Sequence, residues 1–132
     1  MEHLSREQIE GLQGKLIVER DRLLVSIDDE ELTAESNDYL GDIEDKAAEE
    51  HRRSTARLRQ GHHTARVAEL KAAIGRIAQG TYGYCDETGE MIPFGRLSLD
   101  PATRYTVDAL ELLEDENARE KLVRRDEGDK AY

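Results

Sequence analysis

The chain has 132 residues, of which 37% are charged and 37% hydrophobic, with no Trp and a single Phe. That composition excludes a thick multilayer core and the apolar walls of most small-substrate enzymes, and no stretch nears the roughly 20 apolar residues of a membrane span. A net charge of −11 opposes nonspecific DNA binding, which needs a basic surface, and one Cys rules out an internal disulfide framework.

The start, Met1-Glu2-His3-Leu4-Ser5, lacks the basic-then-apolar order of a signal peptide, so a reducing, cytoplasmic location is expected. Ser5-Arg6-Glu7-Gln8 has the form of a helix capping box. Ile9, Leu12, Leu16 and Leu23 follow at spacings of three, four and seven, the narrow seam of a coiled coil. Gly41 is the first breaker after a run without Pro or Gly from Lys15 to Leu40.

A second helix is predicted from about Asp45 to Gln79. Ala48, His51, Thr55 and Leu58 are read as its early seam, and Val67, Leu70, Ile74 and Ile77 as a stricter continuation. Gly80 is its C-terminal stop. Two long helices joined by a short turn make an antiparallel hairpin, which suits the low apolar content. Residues 1–50 hold 5 Lys/Arg against 16 Asp/Glu, whereas 51–80 hold 7 against 1. Helices lying side by side with complementary flanks would explain that division.

Residues 81–100 read as two short extended pieces around a turn, because Tyr82-Gly83-Tyr84-Cys85 and Met91-Ile92 flank Asp86-Glu87-Thr88-Gly89. A last helix is predicted from about Ala102 to Arg125, with Leu110, Leu113 and Leu122 on its buried side and a frayed tail from Glu127. The expected architecture is mainly α. It divides into a hairpin over 1–80 with an acidic tip near 42–47, and a small globular end with a C-terminal helix over 81–132.

Cys85, Thr88, Thr106 and Ala109 stand at the C-x2-C, seventeen residues, C-x2-C spacing of a four-cysteine zinc finger. Asp42-Ile43-Glu44-Asp45-Lys46-Ala47 has the D-x-x-D-x-A arrangement of a hairpin tip. Together these features resemble the DksA/TraR family of bacterial transcription factors, over about residues 5–125. Thr hydroxyls do not ionise at neutral pH and Ala donates nothing, so one thiol is left where structural zinc wants four ligands. His51, His62 and His63 lie outside the finger spacing. The chain therefore looks like a zinc-independent member, with no metal and no cofactor. Tyr82, Tyr84, Ile92, Phe94, Leu97 and Leu99 are expected to pack the finger remnant instead.

The resemblance implies a regulator, not an enzyme. It would bind RNA polymerase, insert the hairpin into the secondary channel and alter open promoter complexes, with ppGpp at the complex as part of the stringent response. Asp42, Asp45 and Ala47 would carry the tip's effect, with Lys46 as a further contact. Arg52, Arg53 and Arg57 would contact polymerase, although pairing with acidic helix 1 would equally use the run Arg52, Arg53, Arg57, Arg59 and Arg66. The family's nucleotide-dependent surface is basic, and Glu69 and Asp100 depart from it while Arg96 is retained. No sequence-specific DNA binding and no membrane contact are implied, and a monomer is expected. The alternative is a Gre-like transcript-cleavage factor, whose paired tip acids would hold a magnesium ion.

Overall fold

The structure, a computed structural model, describes residues 1–35 and 43–130. Four helices follow in order: α1 (Arg6–Glu35), α2 (Ile43–Gln79), α3 (Phe94–Leu99) and α4 (Val107–Lys130). Among the described residues there is no strand beyond an isolated antiparallel bridge between Tyr84 and Met91. The molecule is thus mainly helical, as expected.

The capping box closes α1 as read. Gln8 N–H donates to Ser5 Oγ at 3.1 Å, and Ser5 N–H donates to Gln8 Oε1 at 2.9 Å. At the end of α2, Gly80 takes φ 79°, and its N–H reaches Ile77 O while Thr81 N–H reaches Arg76 O. This paired closure requires a left-handed residue, which Gly supplies without a Cβ penalty.

α1 and α2 pack antiparallel. Leu12 and Leu16 meet the α2 seam at Leu70 and Ala73, with Ile9, Leu23, Ile74 and Ile77 partly buried beside them, and Val67 is buried one step further along α2. The α2 seam continues away from this core in alternating steps through His63, Gln60, Ala56, Arg53 and Glu49, all buried or half-buried. The expected early seam is therefore corrected: Ala48 and His51 are exposed, Leu58 is 64% exposed, and Thr55 is only half-buried. The nine-residue step from Leu58 to Val67 fits no alternation of three and four. The true seam had been hidden because polar side chains fill it.

Glu19, Ser26, Glu30 and Thr33 are the half-buried counterparts on α1. Glu30 meets His63 across the interface, at 3.0 Å from Oε1 to Nδ1. The core is thus concentrated at the globular end, where Tyr82, Cys85, Ile92, Leu97, Ala102 and Ala109 close over the hairpin's base.

Two elements differ from expectation in that end. α3 occupies residues to which the sequence assigns no helix, because Pro93 O accepts from the N–H groups of both Arg96 and Leu97 and starts a helical turn. α4 starts at Val107 rather than Ala102. Asp100 captures the intervening turn, accepting from Ala102 N–H on Oδ1 and from Thr103 N–H on its carbonyl. α4 also continues to Lys130, past the predicted start of a frayed tail. Among its described side chains, Ala109 is buried and Leu110 and Leu113 are half-buried near its start, but Leu122 is 60% exposed, contrary to prediction.

Candidate functional site

At 1.5 Å per residue α2 spans about 55 Å, so its first turn stands far from the globular end. Asp45, Lys46 and Ala47 lie in that turn and are exposed. Asp42 lies outside the described residues. Asp45 is the third helical residue, because α2 begins at Ile43, two residues before its predicted start. An acid there still complements the helix dipole.

The basic run divides. Arg52 and Arg53 both pair with Glu49 on their own helix, Arg53 at 3.4 Å. Glu49 is largely covered, and its carboxyl is held below the usual range, first by the hydrogen bond from Arg52. Arg57 and Arg59 are exposed and show no ion pair among the described residues. Arg66 turns to α1, donating from Nε to Glu19 Oε1 at 3.0 Å. Pairing with acidic α1 thus accounts for Arg66, while Glu49, a seam residue, takes Arg52 and Arg53.

Arg66 does more than join the helices. Its Nη1 donates to Glu69 at 3.1 Å and its Nη2 to Asp100 at 3.0 Å. The guanidinium pKa is pushed upward, most by Glu19 and further by Asp100 and Glu69. The two acids singled out as departures from a basic surface are therefore partners of one arginine. Glu69 and Asp100 also edge a cleft of about 440 Å³ with Arg96, Arg104 and Tyr105. Sequence reasoning missed this cluster, although Glu69 lies three residues from Arg66 on one helix, the spacing of a helical ion pair.

The finger positions do come together. Cys85 is buried in a turn where its N–H reaches Glu90 O and its carbonyl accepts from Gly89 N–H, both at 2.8 Å. Thr106 Oγ1 lies 3.9 Å from Cys85 Sγ, and it also accepts from Ala109 N–H at 3.3 Å, capping α4. Thr88 Oγ1 accepts from Glu90 N–H. Burial would raise the Cys85 thiol, but the Thr88 hydroxyl and backbone N–H groups at Thr106, Thr88 and Glu87 outweigh it and bring the pKa down to about 7. The turn keeps a geometry suited to a thiolate. Its donor set, one thiol with two hydroxyls and a methyl, does not fit tetrahedral zinc. Among the described residues no group of three or more His, Cys, Asp or Glu is arranged to hold a metal.

The globular end has an apolar core beside the finger positions. Tyr82, Ile92 and Leu97 are at most 1% exposed, as expected, whereas Phe94 is 39% and Leu99 87% exposed, contrary to it. Tyr82 donates to Pro101 O at 2.7 Å, and burial pushes its phenol up to about 12. The chain start also covers the turn. Leu4 is buried, His3 Nε2 lies 2.9 Å from Ile92 O, and His3 meets Tyr84 edge-on. Gly83, at φ 90°, lies so close to His3 and Leu4 that a Cβ would come within 3.1 Å of the His3 ring.

A long antiparallel hairpin, closed at its base by a finger-like turn and a short helix, defines a hairpin-and-finger protein. Residues 80–114 match the prokaryotic dksA/traR C4-type zinc finger. Over 126 residues the chain is 28% identical to the RNA polymerase-binding transcription factor DksA of Caulobacter vibrioides, covering 94% of this chain and 85% of that one. Its fold matches transcription factor DksA2 from Pseudomonas aeruginosa with a TM-score of 0.76 at 26% identity, over 86% and 88% of the two chains. The likeness of fold extends to the regulator Dks of Chlamydia trachomatis, with a TM-score of 0.53 at 20% identity over 86% and 94%. In its finger region, its sequence and its fold the chain is similar to proteins of the DksA/TraR family.

Proposed function

We propose that this chain binds RNA polymerase and regulates transcription by placing the hairpin in the secondary channel, where its tip alters the stability of open promoter complexes. The observation that carries the proposal is the tip itself. Asp45, Lys46 and Ala47 are exposed at the far end of a narrow, polar hairpin, in a chain whose relative is named for polymerase binding. Asp42 and Asp45 present negative charge to basic groups or to the setting of a catalytic metal ion, and the small Ala47 permits close approach. Arg52, Arg53 and Arg57 lie further along α2 as contacts to acidic elements of the channel entrance. The chain acts as a regulator without a catalytic group of its own.

Two further features belong to this reading. The finger remnant folds without zinc, supported by the poor donor set and the buried Tyr82, Ile92 and Leu97. ppGpp acts at the complex and not on the free chain, because Glu69 and Asp100 place carboxylates beside Arg96 and Arg104 in the cleft. The test is a pull-down of polymerase subunits with tagged protein, followed by single-round transcription with and without ppGpp. Binding with reduced output from an unstable promoter is expected. Failure to capture polymerase would overturn the reading, and cleavage of backtracked RNA would reassign the tip to transcript cleavage.

A further inference from the structure

On the reading that the hairpin enters RNA polymerase, we propose that the outward line of α1, Val18, Val25 and Leu32, docks a basic, apolar-faced element of the polymerase and so fixes which way round the hairpin lies. The three stand seven residues apart and are 66%, 63% and 69% exposed. Seven residues fall about 20° short of two helical turns, so the side chains form one line about 21 Å long. Leu24, 38% exposed, widens it beside Val25. Charges flank the line, Asp21 and Arg22 in the first interval and Asp28 and Asp29 in the second. The inside of the hairpin has the opposite character. Between Leu24 and Ala34 the half-buried residues of α1 are Ser26, Ile27, Glu30 and Thr33, three of them polar, and Glu30 meets His63 of α2. Polar side chains thus lie within the hairpin while Val25 and Leu32 are turned to water. Exposed apolar residues at a fixed helical period mark a surface for another molecule.

The charge around the line says what covers it. Asp28, Asp29 and Glu31 are exposed beside Val25 and Leu32, and among the described residues none of the three is in an ion pair. Asp21 is held by its neighbour Arg20. The surface is apolar along its middle and acidic at its flanks, most of all towards the tip. Its complement is a helix with apolar residues along one side and Lys or Arg beside them. Acid set against phosphate excludes a nucleic acid. From Val18 to Leu32 there are six acidic and two basic residues, so a second copy of the chain would be repelled. The other helix carries the opposite charge, since Arg57 and Arg59 of α2 are exposed and in no ion pair among the described residues. A hairpin with an acidic, apolar side and a basic side fits a charged channel one way round, and the line on α1 sets which wall it meets.

The experiment is oxidative footprinting of side chains on the free full chain and on its complex with polymerase, together with competition binding of variants. Val18, Val25 and Leu32 are expected to lose most of their reactivity on binding, while Leu122, 60% exposed on α4, keeps its own. Val25→Gln with Leu32→Gln should weaken polymerase binding about tenfold or more, and Leu122→Gln should leave it unchanged. Gln is as good a helix former as the residues it replaces, so thermal melts of these variants should match the parent. Asp28→Lys with Asp29→Lys should also weaken binding, most at low salt. A parent chain that binds polymerase with the three side chains still reactive overturns this docking surface and leaves polymerase binding standing. So does a V25Q/L32Q chain that binds as the parent does, or a D28K/D29K chain that binds more tightly. A parent chain that does not bind polymerase overturns both readings.

Discussion

Arg66 and Asp100, thirty-four positions apart, meet through a 3.0 Å hydrogen bond from Nη2 to Oδ1, and this contact fastens the globular end to the hairpin. The same guanidinium holds Glu19 of α1, so one side chain spans three parts of the fold. The guanidinium spreads its donors over three nitrogens in one rigid plane and so reaches carboxylates on three sides.

Replacing Arg66 should therefore cost more than an ordinary surface ion pair. Arg66→Met leaves Glu19, Glu69 and Asp100 facing one another. A loss of about 1–2 kcal/mol is expected, since the cluster is partly solvent-screened. Arg66→Lys keeps the charge and should still lose most of this, because three donors on one compact nitrogen do not span the carboxylates that three guanidinium nitrogens hold. Urea midpoints at unchanged slope are the readout, and a lysine variant as stable as the parent would contradict the bridging role.

The hairpin, its capping box and the Gly80 stop were legible because each is written locally. Ser5 and Gln8 stand three apart, and Val67, Leu70, Ile74 and Ile77 are apolar at coiled-coil steps. The seam beyond Val67 was not legible by hydrophobicity, since Glu49, Arg53, Gln60 and His63 occupy it. Counting backward from Val67 by four and three would have found it. α3 was missed because Pro93 and Gly95 argue against a helix, although Pro93 stands outside it and only lends its carbonyl. The finger positions were found by spacing, but the Arg66 cluster depends on the Asp100 turn, which no local pattern announces.

Cys85 should make stability depend on pH. Its thiol titrates near 9 when unfolded and about 7 when folded. A depressed acid contributes fully above the unfolded value, and that contribution is lost as pH falls through the folded value. The stability of the parent over Cys85→Ala should then grow between about pH 7 and about pH 9, by at most about 3 kcal/mol. The packing lost in the variant is the same at every pH. Urea curves that run parallel across this range would show that the thiol stays protonated.

Chelators should leave the thermal melt unchanged. Installing Thr88→Cys, Thr106→Cys and Ala109→Cys together should create a site for one zinc ion, since the turn already directs N–H groups at sulfur. Only that variant should then lose melting temperature on chelation. Stoichiometric zinc in the purified parent would refute this account of the finger.

Asp45→Asn should separate function from stability. The residue is exposed in the first turn of α2, so the cost should stay within about 0.5 kcal/mol. Polymerase binding should largely persist, because the rest of the hairpin and the globular end supply affinity. Inhibition of an unstable promoter should fall sharply. An Asp45→Asn chain that inhibits like the parent would shift attention to the exposed arginines of α2.

The uneven seam makes the hairpin a cantilever, clamped at one end and compliant along the other. Amides from Val67 to Ile77, over the apolar core, should exchange with solvent only through global unfolding. Those from Glu49 to Gln60 should exchange through cheaper local opening. A load on the distal part of α2 would then be absorbed by separation of polar seam residues before it reached Arg66. The finger remnant would stay in register while the far half of the hairpin adapted its shape to whatever surrounds it.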